Sequence, residues 1–241
     1  MSQSLCIVTP DLIGPIKNGG IGTHAFNLAL DMVQMGLSVT ILFTGPIEFG
    51  SHRGWAKFYA ERGIVFESID NLPSLPFSLH ADWFVERSYR TYLFLQSRKF
   101  DTINFQEWQA NGFHTIQAKR STHFFQDTRI TVTTHSSTEW IARGSRDWSK
   151  SPISDAKLQW CERYCCENCD ILISPSAYML DWLSKHDWSL PQQRIVAPLC
   201  YEVKKQVSFY TPEKGKIAFF GRLETRKGLA VFIEAIHSLD D

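Results

Sequence analysis

The chain lacks an excess of either charge: 25 Lys and Arg stand against 25 Asp and Glu in 241 residues. A dedicated nucleic-acid binder needs a basic face to displace counterions, so no nucleic-acid partner is expected, and a membrane-surface protein is disfavoured for the same reason. No apolar run approaches the ~18 residues of a membrane span. The first residues carry no basic region, and their short apolar stretch at 5–8 stops at Thr9-Pro10, so the segment reads as a strand rather than a signal peptide. A cytoplasmic location is the default expectation. Internal repeats and low-complexity tracts are also missing.

Six cysteines are present, four of them crowded at Cys161, Cys165, Cys166 and Cys169. If residues 158–168 are helical, Cys161 and Cys169 lie about 12 Å apart along the axis at 1.5 Å per residue. Sulfurs sharing one zinc at ~2.3 Å must nearly touch, so one helix cannot close that tetrahedron. The Cys166-x-x-Cys169 pair falls at a helix end before a strand, away from the helix N-terminus that would activate a redox thiol. Free, partly buried thiols are expected.

With 44% hydrophobic and 21% charged residues, the composition suffices for a sizeable core. At ~150 residues per domain the length gives about 1.6 domains, too many for one minimal unit and too few for two. Apolar, β-rich runs lie at 5–8, 38–43, 64–67, 102–105, 130–134, 171–174 and 217–220. Helical patterns lie between them. The clearest has Ile21, Ala25, Leu28, Ala29 and Met32 on one face, and Gly36 follows where a left-handed cap is wanted. Others run over 52–62, 80–98, 111–119, 154–167, 177–185 and 228–238.

Continuously apolar strands alternating with helices predict an α/β fold, a Rossmann-like parallel sheet with helices on both faces. Ligands of such sheets bind outside the carboxyl ends of the strands, which directs attention to loops 9–22, 106–112, 135–144 and 175–178. Residues 1–199 are expected to form this domain and 200–215, polar and without helical period, a linker. One β-α unit of a second domain would occupy 216–241. Its helix places Leu229, Phe232, Ile233 and Ile236 on one face, which must pack on the first domain, pair with another chain or remain disordered.

The first strand leads to Lys17-Asn18-Gly19-Gly20-Ile21-Gly22 at a helix start. Glycines there allow close approach to backbone N–H groups, and the positive dipole end favours a phosphate. A dinucleotide fingerprint, Gly20-x-Gly22-x-x-Ala25, also fits formally. It begins about ten residues after the strand, however, and the second strand ends without the acidic residue that would hold a ribose, so a nicotinamide-dependent oxidoreductase is a distant alternative. A glycine turn needed only for packing is the bland alternative. Further on, Gly221-Arg222-Leu223-Glu224 and Lys227-Gly228 bring two cations to a loop and a helix start, a sensible pyrophosphate site or else a solvated charged turn.

Together these segments resemble the retaining, nucleotide-sugar-dependent glycosyltransferases of the GT-B fold, specifically glycosyltransferase family 4 of the group 1 type. Lys17-x-Gly19-Gly20-Ile21-Gly22 is similar to that family's KxGG loop, and residues 221–228 to its GRLxxxKG motif, in which the Arg and Lys matching Arg222 and Lys227 bind the donor pyrophosphate. Residues 101–108 match the family's strand and acceptor-side loop. Thr133-Thr134-His135-Ser136 is similar to its fifth-strand histidine beside the transferred sugar, and residues 170–176 to its strand leading to a phosphate-facing serine loop. The family's EPFG-type loop and ribose-holding acid have no counterpart, so the resemblance implies an acceptor-side domain joined to the start of a donor-binding one.

It follows that the donor is a nucleotide sugar, a co-substrate rather than a cofactor, and that the acceptor is a sugar, a lipid-linked sugar or a small molecule. Charge developing on the departing pyrophosphate would fall to Lys17, Arg222, Lys227 and the amides of residues 20–22. No metal is expected, since the only DxD-like carboxylate pair is the terminal Asp240-Asp241. His135 would orient the sugar or acceptor, unless it is a satisfied core histidine. Glu107, on a post-strand loop, is the candidate acceptor-side carboxylate or else a plain surface residue. Trp108 and Trp140 would stack on sugar faces, although with eight tryptophans in the chain simple packing is the stronger expectation. The alternative function is a non-catalytic carbohydrate- or phosphate-binding module.

Overall fold

A computed structural model describes residues 3–72, 81–145, 151–201, 214–223 and 225–239. Seven parallel strands, β1 (Ser4–Thr9), β2 (Ser38–Phe43), β3 (Ile64–Ser68), β4 (Thr102–Gln106), β5 (Arg129–Thr133), β6 (Ile171–Ser174) and β7 (Arg194–Val196), form one sheet in the order β3-β2-β1-β4-β5-β6-β7. The helices are α1 (Gly20–Gln34), α2 (His52–Ala60), α3 (Trp83–Gln96), α4 (Phe113–Ser121), α5 (Thr138–Ser145), α6 (Pro152–Asn168), α7 (Ala177–Lys185) and α8 (Leu229–His237). The chain winds outward from β1 to β3, then returns to lay β4 against the other side of β1. That reversal opens a crevice between the loops after β1 and β4, where ligands of doubly wound sheets bind. The α/β Rossmann-like expectation is met.

Two cores flank the sheet. Leu5, Ile7, Val39, Ile41 and Phe43 pack on one face with Ala25 and Ala29 of α1 and Tyr59 of α2. Cys6, Val8, Ile103, Phe105, Ile130 and Val132 pack on the other with residues of α3, α4 and α6. Helix α1 ends as its sequence pattern indicates: Gly36 takes φ +85°, its N–H bonds the Val33 carbonyl, and the Leu37 N–H bonds that of Met32. This Schellman closure satisfies carbonyls that the helix leaves open.

Three local differences from the sequence pattern have physical causes. The edge strand β7 is only three residues long, too short for its apolar pair Ile195-Val196 to stand out as a strand pattern, and all three residues are exposed. Helix α5 occupies residues expected as loop and buries none of its own. Residues 216–220, expected as a strand, are irregular, and Phe220 is fully exposed. A strand needs a neighbour for its backbone groups, and no described strand offers one here. The Phe219 ring lies 5.4 Å from Phe232 of α8, whose Leu229, Phe232 and Ile236 are half-buried while Ile233 is exposed. Residues 202–213 of the expected linker, Glu224, Asp240, Asp241 and the expected start of α3 at His80 lie outside the described residues.

Among the described residues no helix is long and apolar enough to cross a membrane. All six cysteines are free thiols, five of them buried, and burial pushes the Cys161 thiol up to about 11 and the Cys169 thiol to about 12.

The β1–α1 loop is anchored from α2. The buried Tyr59 hydroxyl donates to the Ile13 carbonyl at 2.7 Å. Tyr59→Phe is expected to destabilise the fold by about 1 kcal/mol through that lost bond, read from urea unfolding midpoints. An unchanged midpoint would show that the anchor contributes nothing.

Candidate active site

The site is assembled from the loops after β1, β4 and β5. After β1, Thr9 folds the chain back by donating its hydroxyl to the Asp11 carbonyl at 2.7 Å. The Asp11 side chain then reaches forward, and its Oδ2 accepts from the Gly19 N–H at 2.9 Å and the Gly22 N–H at 3.0 Å. A Cβ on Gly22 would stand 2.7 Å from both Asp11 Oδ1 and the Leu12 nitrogen, so glycine is required by close approach. The amides of Gly19, Gly20 and Gly22 are the expected phosphate ligands, yet an intramolecular carboxylate already holds two of the three at the positive end of α1. Gly20 faces open space, and Lys17 is exposed.

After β4, residues Trp108–Ala110 make a 3-10 turn in which Gln109 (φ +67°) and Ala110 (φ +50°) adopt left-handed backbone, a conformation that persists only where the surroundings impose it. Two carboxylates do so. Glu107 Oε2 accepts from the Trp108 N–H at 3.1 Å and the His135 N–H at 2.7 Å. Glu162 of α6 accepts from the Gln109 N–H at 3.1 Å, the Thr138 N–H at 2.7 Å and the Thr138 hydroxyl at 2.9 Å. The post-β4 and post-β5 loops are thereby tied together. Both carboxylates are buried: burial and the charge of Glu162 push Glu107 up to about 8, and burial pushes Glu162 up to about 7. Glu107, the candidate acceptor-side carboxylate, is no surface residue: it is 1% exposed, and its Oε2 accepts from backbone amides.

His135 follows β5. Its Nε2 lies 2.6 Å from Gln106 Oε1, and its Nδ1 is buried with no hydrogen-bond partner. The ring meets that of His24 on α1 edge-on at 5.6 Å, and His24 Nδ1 accepts from the Cys200 N–H at 2.9 Å. Burial, helped by His24, holds His135 down at about 3, so the imidazole is neutral at ordinary pH. Burial lowers His24 as well. His135 thus touches the α1 side of the crevice through His24 and the post-β4 side through Gln106 and Glu107.

The remaining candidates stand elsewhere. Arg222 and Lys227 are exposed on the C-terminal segment, which meets the sheet domain at α5, where the Arg226 guanidinium lies 5.7 Å from the Trp140 ring centre. Ser176 already caps α7 by accepting from the Met179 N–H. Trp108 and Trp140 are half-buried. Asp11, His24, Gln106 and Glu162 escape the sequence pattern. For Gln106 a signal exists: in Thr102-Ile103-Asn104-Phe105-Gln106 and Ile130-Thr131-Val132-Thr133 polar residues alternate with apolar ones, although both strands are buried.

Residues 18–197 match the family model for Glycosyltransferase Family 4. The chain belongs to glycosyltransferase family 4. Solved structures sharing its fold include sucrose-phosphate synthase from Thermosynechococcus elongatus, 15% identical with a TM-score of 0.55 over 80% of this chain and 47% of that one. Phytolacca americana UGT2 complexed with UDP-2fluoro-glucose and pterostilbene is 10% identical, with a TM-score of 0.51 over 84% and 55%. Medicago truncatula UGT71G1 complexed with UDP-glucose is 11% identical, with a TM-score of 0.50 over 82% and 52%. The chain spans about half the length of these GT-B proteins. No curated protein sequence matches it.

The two buried carboxylates give the family member a distinct pH dependence. Glu107 and Glu162 bind protons more tightly in the folded chain than when unfolded, so their contribution to stability is full below pH 4.5 and is lost as pH rises toward about 8. Glu107→Gln keeps an acceptor for the His135 N–H and removes one titration, so stability should decline less across that window in urea melts at several pH values. Identical slopes in both proteins would contradict the raised carboxyl.

Proposed function

We propose that this family member moves a sugar from a nucleoside-diphosphate sugar to a sugar, lipid-linked or small-molecule acceptor with retention of anomeric configuration, and that its sheet domain is the acceptor side. The observation that carries the proposal is His135: neutral, held by its backbone N–H and Nε2, with a buried Nδ1 that has no partner. A buried polar atom without a partner costs about 1–3 kcal/mol, and a sugar hydroxyl supplies what it lacks. The UDP-glucose bound to the Medicago enzyme supports the donor class.

As the bond from sugar to diphosphate breaks, negative charge grows on the leaving group and has to be met by groups already in place. Lys17, Arg222 and Lys227 take that role. With Gly19 and Gly22 engaged by Asp11, Gly20 is the glycine amide left to assist them. Glu107 acts through His135 as a positioning residue. We assign no divalent cation to the transfer, so a chelator should leave the rate unchanged. Six free thiols fit a cytoplasmic setting. The exposed Val231 and Ile233 of α8 suit packing against further donor-side structure or a second chain.

Sugar transfer from a panel of nucleotide sugars, with the product anomer read by NMR, tests the proposal. In an active form, Arg222→Ala and Lys227→Ala should each lower kcat about 100-fold or more. Near-normal rates in both variants would overturn the pyrophosphate assignment, and an inverted anomer would overturn retention.

A further inference from the structure

Beneath His135, on the α1 side of the sheet, β4 and β5 bury four polar side chains where β1 and β2 bury aliphatic ones: Asn104, Gln106, Thr131 and Thr133 are all at most 6% exposed. They form a connected chain. His135 Nε2 meets Gln106 Oε1 at 2.6 Å, Gln106 Nε2 donates to Asn104 Oδ1 at 2.9 Å, and Asn104 Nδ2 donates to the hydroxyls of Thr131 at 2.9 Å and Thr133 at 3.0 Å. The Thr131 hydroxyl in turn faces the Ile103 carbonyl at 3.4 Å.

A chain of this kind has a direction, and its end sets it. A backbone carbonyl only accepts, so the Thr131 hydroxyl donates to it and offers its lone pair to Asn104. The two hydrogens of the Asn104 amide nitrogen match the two hydroxyls, which turns Asn104 Oδ1 toward Gln106. Gln106 must then present its nitrogen to Asn104 and its oxygen to His135. The proton therefore sits on Nε2. Running the chain backwards would place it on Nδ1, leaving a buried N–H without an acceptor, a rarer defect than an unfilled acceptor.

We infer that Gln106, held by Asn104 and Thr131, is a positioning residue that locks His135 in the Nε2–H tautomer, so that its Nδ1 is a permanent acceptor selecting a ligand hydroxyl. The selection of a sugar hydroxyl rests on the transfer reading above, whereas the tautomer lock does not. Among the described residues, the titratable groups placed against His135 are His24 from α1 and Glu107, which holds the His135 backbone N–H. Burial keeps His24 neutral as well, so neither ring offers an anion a positive partner. A phosphate or carboxylate oxygen would find only a lone pair at Nδ1, while a hydroxyl finds an acceptor.

Long-range proton–nitrogen NMR of the imidazoles reads the tautomer directly, with the His135 signals assigned by their loss in His135→Asn. In the unmodified protein Nδ1 should resonate as a bare nitrogen and Nε2 as a protonated one. Gln106→Glu, nearly isosteric, keeps the acceptor and should retain this tautomer while raising the pH at which His135 protonates, because a carboxylate favours the imidazolium. Gln106→Leu should yield a mixture of tautomers. A protonated Nδ1 or a mixture in the unmodified protein would overturn the inference, as would an unchanged His135 titration in Gln106→Glu. Should Gln106→Leu fail to fold, the unmodified and Gln106→Glu spectra decide alone. A donor analogue deoxygenated at the hydroxyl facing His135 should bind about tenfold or more weaker. Equal binding with the tautomer locked would overturn the hydroxyl selection and leave the lock standing, whereas failure to bind any nucleotide sugar would count against the function and not the lock.

Discussion

The crevice is shaped by carboxylates that hold backbone amides. Loops at the carboxyl edge of a parallel sheet leave N–H groups that no strand pairs, and burying them unsatisfied is expensive. Here Asp11 gathers Gly19 and Gly22, Glu107 gathers Trp108 and His135, and Glu162 gathers Gln109 and Thr138. Apart from the local Glu107–Trp108 bond, each of these spans a loop or ties one to another element, so the edge is held by the protein's own groups. Left-handed backbone at Gln109 and Ala110 is tolerable because Glu162 and Glu107 hold that turn from either side. The arrangement also constrains the chemistry. With the Gly19 and Gly22 amides engaged by Asp11, that loop has fewer free N–H groups for an anion, and in the transfer we propose the countercharge is assigned to side chains.

The second organising feature is the polar patch on β4 and β5. On the α1 face the sheet changes from aliphatic under β1 and β2 to hydrogen-bonded under β4 and β5, and His24 and His135 sit where the two regimes meet. A core of aliphatic residues would be simpler to satisfy. A buried amide network, once every partner is present, fixes orientation more tightly than packing does, because any flip strands a polar group. His135 is therefore aimed by the interior of the sheet rather than by its own loop.

The sheet was legible because its information is local. Apolar runs bounded by turn residues place six of the seven strands within a residue or two, and the Gly36 cap marks the end of α1 by its own backbone requirement. The site was less legible because its decisive bonds are long in sequence. Nothing near Asp11 announces that it will reach Gly22 eleven residues on, and Glu162 lies in the middle of a helix, 53 residues from Gln109. Glu107 illustrates the cost of reading a loop by position: a carboxylate after a strand looks solvent-facing until the neighbouring loop closes over it. Residues 217–220 show the converse, an apolar run with no partner strand among the described residues to make it β.

Helix α5 joins these threads. It begins at Thr138, whose N–H and hydroxyl both bond Glu162, so the carboxylate that steadies the post-β4 turn also fixes where α5 starts. With no buried residue of its own, α5 owes its place to that anchor and to its packing on α6. Its outer side receives the C-terminal segment, through Arg226 over Trp140 and Gly144 near the Arg226 side chain. The segment bearing Arg222 and Lys227 thus leans on a helix whose first turn is set by the same buried carboxylates that hold the loops around His135. A change at Glu162 would be felt on both sides of the crevice, since the loop that presents the histidine and the helix that receives the cationic segment share one support.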